Sequence, residues 1–176
     1  MKRGDNMYAR EEVCCFTGHR PEKLPWGKNE EDPRCILLKS KIRDAIEAAY
    51  AEGKRHFICG MARGCDFYFA EEVLELREEK NDITLEAAIP CAVQSASWSK
   101  EQRARWETLV SACDRKTILQ DRYTPDCMHR RNRYMVEQSS LVIAVYDGSD
   151  GGTRRTLEYA IGEKVPFVDI DPGSDR

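Results

Sequence analysis

The chain has 176 residues, of which 41% are apolar and 34% are charged. This composition is ordinary for a folded globular protein and excludes a disordered chain. The net charge is −3, and the isoelectric point of about 5.7 disfavours a broad basic surface for nucleic acid. We expect one domain over residues 1–176, with a core from about 13 to 170.

The sequence also bears on the compartment of the protein. The longest apolar run, Leu141 to Tyr146, has six residues, far fewer than the ~20 that a membrane-spanning helix needs. The first twelve residues, MKRGDNMYAREE, lack the apolar centre of a signal peptide. We therefore expect a cytoplasmic protein with no membrane partner.

Eight cysteines are present, but they form no C-x-x-C pair and have no histidines at zinc-site spacing. Several lie inside apolar runs, where cysteine behaves as a small hydrophobic residue. We expect reduced thiols in the core and predict neither a metal site nor a disulfide framework.

Short β-like runs alternate with longer helical patterns along the chain. Strands are predicted at Val13–Phe16, His56–Cys59, Ile83–Ile89, Lys116–Leu119, Leu141–Tyr146 and Val165–Ile170. Helices are predicted from Asp32 to Gly53, through Ala70–Arg77, from the capping-box pair Ser99 and Gln102, from Asp126 to about Gln138, and from Gly152 to about Gly162. Because parallel strands need crossover connections, this order predicts an α/β fold with a mainly parallel sheet and helices on both faces.

Unusual polar and glycine-rich segments follow three of the predicted strands. They are TGHR at 17–20, CGMARGCD at 59–66 and DGSDGGT at 147–153. In an open α/β sheet, ligands bind beyond the carboxyl ends of the strands. Glycines there let the backbone approach a ligand, and the N–H groups of the following helix favour phosphate. The pattern predicts a phosphate-bearing ligand. The chain has no Walker A motif, and the absence of the G-x-G-x-x-G fingerprint disfavours a Rossmann dehydrogenase.

Each segment supplies candidate ligand-binding residues. In the first, Gly18 allows close approach, Thr17 donates its hydroxyl, Arg20 holds a phosphate, and His19 contacts phosphate or sugar. The second is predicted to use Gly60, Ala62, Arg63, Gly64 and Asp66, and the third Asp147, Gly151, Gly152 and Thr153. Asp66 either caps a helix or binds ribose, and Asp147 either binds ribose or shapes its turn.

Other candidates come from elsewhere in the chain. Gln94 follows the third strand and could read a polar edge of the ligand. Trp26 and Trp98 lie in predicted loops, where either could stack on a base, although core or lid packing is the commoner role. The basic segment MHRRNRYM, residues 128–135, opens a helix and places Arg131 near the site, with Asn132 as a further ligand-binding candidate.

Together, TGHRPEKLP, GMARGCD, IPCAVQSASW, RNRYM and DGSDGGT resemble the YpsA-like proteins of the SLOG superfamily. That superfamily is named for the DNA-processing protein DprA and the LOG phosphoribohydrolases, and the resemblance spans about Val13 to Ile170. It implies a Rossmann-like three-layer sandwich that binds a nucleotide or a derivative such as NAD or ADP-ribose. No cofactor is implied beyond that bound nucleotide derivative.

The resemblance leaves two further functions open. The LOG-type motifs match at Arg131 and Glu158, which implies catalytic roles in N-glycosidic cleavage of nucleoside monophosphates. The match departs at Asn132, a lysine position in that motif, and at Arg154-Arg155, where Gly-Thr is usual. GMARGCD resembles the DprA motif, which implies single-stranded DNA binding, but the acidic chain argues against nucleic acid as the partner. Oligomers among LOG-like proteins lead us to expect a homodimer.

Overall fold

The computed structural model describes residues 7–173. Their strands are β1 (Val13–Gly18), β2 (His56–Cys59), β3 (Thr84–Ile89), β4 (Arg115–Ile118), β5 (Leu141–Val145) and β6 (Phe167–Ile170). They form one sheet in the order β4-β3-β2-β1-β5-β6, and every neighbouring pair is parallel. The predicted α/β, Rossmann-like fold is confirmed.

Helices cover both faces of this sheet. They are α1 (Pro33–Ala51), α2 (Cys65–Glu79), α3 (Lys100–Ala112), α4 (Cys127–Gln138) and α5 (Gly152–Gly162). One buried cluster joins one face of the sheet to α1, α2 and α3, and a second cluster joins the other face to α4 and α5. The three layers are therefore helices, sheet and helices, as the alternating pattern predicts.

Local signals in the sequence explain where the helices begin. The Asp32 carboxylate accepts a hydrogen bond from the Arg34 backbone N–H at 2.9 Å, with Pro33 at the first helical position. The Ser99 hydroxyl accepts from the Gln102 backbone N–H at 3.3 Å. The reciprocal bond of a capping box does not form, because the side-chain oxygen of Gln102 is buried without a partner among residues 7–173.

The eight cysteines are all free, and all but Cys113 are buried. Burial raises the pKa of Cys15 to about 12, so this thiol stays protonated and packs as an apolar group. Within residues 7–173, no helix has the length and apolarity to cross a bilayer.

The sheet order positions the candidate site. From β1 the chain builds outward through β2, β3 and β4, and then α4 carries it back to β5 on the other side of β1. A crevice opens at such a switch point, beyond the carboxyl ends of the strands. Strand β1 runs two residues further than predicted, because Thr17 and Gly18 pair with Ala144 and Val145 of β5.

A buried carboxylate ties the edge strand β4 to the rest of the sheet. Glu86 of β3 is 1% exposed and accepts hydrogen bonds from the hydroxyls of Thr117 and Tyr134, both at 2.6 Å. Its other oxygen lies 2.7 Å from Nε2 of His56. Burial alone would raise the pKa of Glu86, but these hydrogen bonds hold it below its ordinary value.

This network makes Glu86→Gln a test of how β4 is held. The variant should lower the free energy of unfolding at pH 7 by about 1.5 to 3 kcal/mol, because the acceptor loses its charge and one of its two oxygens is replaced by an NH2 group. In the natural chain, the stability from ionised Glu86 is present above the unfolded pKa of about 4.3 and is lost as the pH falls through the lower folded pKa. Urea unfolding from pH 7 to pH 3 should therefore show a weaker acid dependence in the variant. Exposed Glu78, changed to Gln, is the control, and equal effects of the two changes would contradict the role of Glu86.

Candidate functional site

A cavity of about 340 Å³ opens at the switch point, beyond the carboxyl ends of β1, β2 and β5. Its wall contains the predicted residues Thr17, Gly18, His19, Arg20, Ala62, Asp66, Arg131, Asn132, Gly151, Gly152 and Thr153. It also contains Phe16, Glu22, Lys23, Met128 and Met135, which the sequence patterns do not single out. The three predicted segments and the start of α4 thus meet around one space.

The end of β1 lies directly against the start of α2. A Cβ atom added to Gly18 would lie 2.7 Å from Cβ of Cys65, so only glycine fits there. The backbone N–H of Cys65 donates to the carbonyl of His19 at 3.2 Å. Gly64 has φ +85, and a side chain there would also meet the His19 carbonyl. The first two loops are therefore packed backbone to backbone.

His19 and Asp147 brace the loops after β1 and β5. Nε2 of His19, which is 3% exposed, lies 2.9 Å from Oδ1 of Asp147. The same oxygen accepts the Ser149 backbone N–H at 2.9 Å. Hydrogen bonding from Ser149, with a smaller contribution from His19, lowers the pKa of Asp147 to about 2. Asp147 is not in the cavity wall, so in this arrangement it positions His19 and shapes its own turn.

Arg131 supplies a buried positive charge to the cavity wall. Its side chain is 4% exposed, and Nη1 donates to the carbonyl of Gly60 and, at 3.5 Å, to that of Ala88. Nε donates to Oδ1 of Asn132 at 2.8 Å. Burial lowers the pKa of Arg131, while the nearby charge of Asp66 acts in the opposite direction. The guanidinium links α4 to the loop after β2.

The same contact gives Gly60 its role. A Cβ atom on Gly60 would lie 2.5 Å from Nη1 and 2.6 Å from Cζ of Arg131. Gly60 does not line the cavity, so its missing side chain makes room for Arg131 rather than for a ligand. Sequence patterns could not show whether this glycine makes room for a ligand or for another side chain.

Gly60→Ala should therefore destabilise the protein. The methyl group would displace a guanidinium that is confined by its burial, at a cost of about 1 to 3 kcal/mol, as in other overpacked interiors. Gly162→Ala is the control, because a Cβ atom there meets nothing within 4 Å. Thermal unfolding of both variants measures the difference. A Gly60→Ala protein as stable as the control would contradict the close approach of Arg131.

Asp66 places a carboxylate in the cavity wall at the start of α2. One oxygen accepts the Ala62 backbone N–H at 2.9 Å, and the other has no hydrogen-bond partner in the described chain. Burial raises the pKa of Asp66 to about 6, although Arg131 acts to lower it. The residue shapes its loop and also offers the cavity an oxygen that titrates near neutral pH.

The raised pKa predicts a distinctive pH dependence. Because it lies above the value of about 3.9 for an unfolded aspartate, protonated Asp66 stabilises the fold at acidic pH, and this stability is lost as the pH rises through about 6. Relative to Asp66→Asn, the natural chain should lose about 2 to 3 kcal/mol between pH 4 and pH 7. Urea unfolding across this range measures the difference, with exposed Asp121→Asn as control. A difference that does not change with pH would show that Asp66 titrates normally.

Lys23 fixes the loop before α5. Its Nζ donates to the carbonyl of Asp150 and, at 3.3 Å, to the hydroxyl of Ser149. Gly151 follows at φ +146, a conformation that favours glycine, and α5 begins at Gly152. The free N–H groups of α5 and the Lys23 ammonium therefore lie at the same side of the cavity. The sequence signal for Lys23 is only its place within TGHRPEKLP.

Some predicted site residues lie outside the cavity wall. Arg63 pairs with Glu22 at 2.9 Å. Gln94 is buried, where its side-chain N–H donates to the Gly60 carbonyl and its oxygen accepts from the Trp106 indole, both at 3.0 Å. Both residues line a neighbouring groove instead.

Two more predicted residues lie away from both spaces. Glu158 is exposed on α5, where it accepts a hydrogen bond from Arg154 at 3.0 Å. Trp26 is buried in the core, where its indole N–H donates to the hydroxyl of Tyr68 at 3.4 Å. Neither residue is placed to contact a ligand in the cavity.

Comparison with known proteins assigns the family. The model of the family described as the YspA SLOG family (YpsA) matches residues 14–165. The chain belongs to this SLOG family. It is also similar to the SPbeta prophage-derived protein YoqJ of Bacillus subtilis, with 30% identity over 143 residues that cover 74% of this chain and 84% of YoqJ. The suspected YpsA-like relationship is thereby confirmed.

Solved structures support the fold of this SLOG chain. DNA processing protein A (DprA) from Streptococcus pneumoniae has a TM-score of 0.62 and 17% identity, over 93% of this chain and 51% of DprA. DprA from Helicobacter pylori, studied for its single-stranded DNA binding mode, has a TM-score of 0.60 and 13% identity, over 91% of this chain and 65% of that protein. The SLOG chain thus spans about half to two thirds of these proteins, and at these identities the likeness concerns the fold.

Proposed function

We propose that this SLOG protein is a cytoplasmic binding or sensing protein for a nucleotide or a nucleotide derivative such as NAD or ADP-ribose. One observation carries the proposal: positive charge is concentrated in the cavity of a chain whose net charge is −3. Arg20, Lys23 and Arg131 line it, against the carboxylates of Glu22 and Asp66. An anion is the ligand that such a site favours.

Further features favour a nucleotide over a simple anion. Helix α5 directs its free N–H groups to the cavity, which suits a phosphate. The hydroxyl of Thr17, the amide of Asn132 and the unpartnered oxygen of Asp66 are groups that bind ribose hydroxyls. A volume of about 340 Å³ also falls within the range of small-molecule sites, which is roughly 300 to 1,000 Å³. In this proposal, the nucleotide is the ligand and no other cofactor is required.

Two alternatives have less support. Single-stranded DNA binding is suggested by the H. pylori DprA structure, but phosphate contacts dominate such binding and the acidic chain is poorly suited to them. N-glycosidic hydrolysis with Arg131 and Glu158 needs both groups at the ligand. Glu158 is exposed and bonded to Arg154, outside the cavity wall.

Thermal unfolding with AMP, NAD, ADP-ribose and a short single-stranded oligonucleotide tests the proposal. A ligand at one hundred times its dissociation constant adds about 2.7 kcal/mol of stability, which raises the melting temperature by about 5 to 10 °C for a chain of this size. We expect such a shift with at least one of the small nucleotides. A shift with the oligonucleotide alone would favour DNA binding, and no shift with any ligand would contradict the proposal.

Arg20→Gln locates the binding in this cavity. Arg20 is exposed, and its guanidinium has no ion pair among residues 7–173, so the change should leave the fold intact. Loss of a charged hydrogen bond to phosphate should weaken nucleotide binding about tenfold to a hundredfold by calorimetry. Arg103→Gln, an exposed position on α3, is the matched control. Equal affinities of the two variants would place the ligand elsewhere.

A further inference from the structure

A second space adjoins the cavity. It is a groove of about 570 Å³ on the far side of Arg20 and Met128, and both residues line the cavity as well as the groove. Arg20 and Met128 therefore form the common border of the two spaces, and the Arg20 side chain at this border is exposed. Its floor is the segment 90–99 between β3 and α3.

The chemistry of the groove differs from that of the cavity. Trp98 is half-buried and forms a T-shaped pair with Phe67, at 6.1 Å between ring centres. The guanidinium of Arg63 lies 5.7 Å from the Trp98 ring centre. Tyr123, at 63% exposure, and Val93, at 51%, add apolar surface that the protein leaves uncovered. Aromatic rings beside an arginine form a surface on which planar bases stack.

The floor of the groove is held in place before any ligand arrives. Gln94 bridges the Gly60 carbonyl and the Trp106 indole, so the segment is fixed both to the loop after β2 and to α3. The backbone N–H of Ala92 also donates to the carbonyl of Gln120 at 3.0 Å. A groove that is already formed binds without the loss of free energy that ordering a loop would require.

Arg20 lies at the junction of the two spaces. Its guanidinium is exposed, and no ion pair of this group occurs within the described residues, whereas Arg63 is paired with Glu22. An unpaired guanidinium between a nucleotide-sized cavity and an aromatic groove is suited to a diphosphate linkage, because its fork of N–H donors matches phosphate oxygens.

We propose that the ligand is a diphosphate-linked dinucleotide whose first nucleotide lies in the cavity, whose diphosphate contacts Arg20, and whose second base stacks on Trp98 beside Tyr123. This inference rests on the proposed nucleotide function and extends it to a ligand with two bases. A long single strand is disfavoured because the protein is acidic overall.

Calorimetry with a matched pair of ligands tests whether a second base binds in the groove. ADP-ribose and diadenosine diphosphate share the diphosphate linkage and differ by one adenine, and either end of the symmetric dinucleotide can enter the cavity. Stacking of that adenine should make diadenosine diphosphate bind at least about fivefold more tightly to the full chain. Trp98→Leu should remove this advantage and leave the affinity for AMP unchanged.

Further variants distinguish the loss of base stacking from the loss of folded structure. Trp98→Phe should retain part of the advantage, and Tyr123→Ser, at an exposed position, should reduce it in a protein with an unchanged melting temperature. Phe167→Leu, on the distant strand β6, is the control for loss of an aromatic ring.

Equal affinities for the two diphosphates, with AMP still bound, would overturn the dinucleotide while the nucleotide function stands. An equal loss of AMP and dinucleotide binding in Trp98→Leu would show that Trp98 supports the site by packing and does not stack on a second base. Tighter, salt-dependent binding of a single-stranded oligonucleotide would overturn the dinucleotide in favour of nucleic acid. If none of these ligands binds, the proposed function itself fails.

Discussion

A buried guanidinium beneath the carboxyl edge of the sheet holds the binding cavity together. Arg131 comes from α4, on one face of the sheet, and its hydrogen bonds reach the carbonyls of Gly60 and Ala88 beyond β2 and near the end of β3. A buried charge must be paired or hydrogen-bonded, so these carbonyls and the helix constrain one another. The guanidinium of Arg131 occupies the space that a side chain at position 60 would need, and glycine is the residue that fits there.

The surrounding loops follow the same principle of close backbone approach. Gly18 lies against Cys65, the His19 carbonyl accepts the Cys65 N–H, and His19 is braced by Asp147 across the switch point. Lys23 then fixes the loop before α5. The result is a small cavity whose shape is set by main-chain contacts and whose basic groups offset the acidic charge of the rest of the chain.

The fold was predictable because its signals are local. Alternating strand and helix patterns, the Asp32 cap and the start of α5 at Gly152 place the elements within a few residues. The site was predictable as a set of loops, since carboxyl ends of parallel strands share one edge of a sheet. Individual roles were harder, because they depend on contacts between distant segments. Nothing local distinguishes Gly60, which accommodates Arg131, from a glycine that faces a ligand, or indicates that Lys23 reaches Asp150.

The most direct test of the account is a titration of the isotope-labelled protein with ADP-ribose, followed by the chemical shifts of its backbone amides. We predict that shifts concentrate at Gly18, Arg20, Gly152 and Thr153, around the cavity. The amides of His56 and Glu86, near the amino ends of β2 and β3, should remain unchanged. Shifts confined to that opposite edge, or none at high ligand concentration, would contradict a nucleotide site at the switch point.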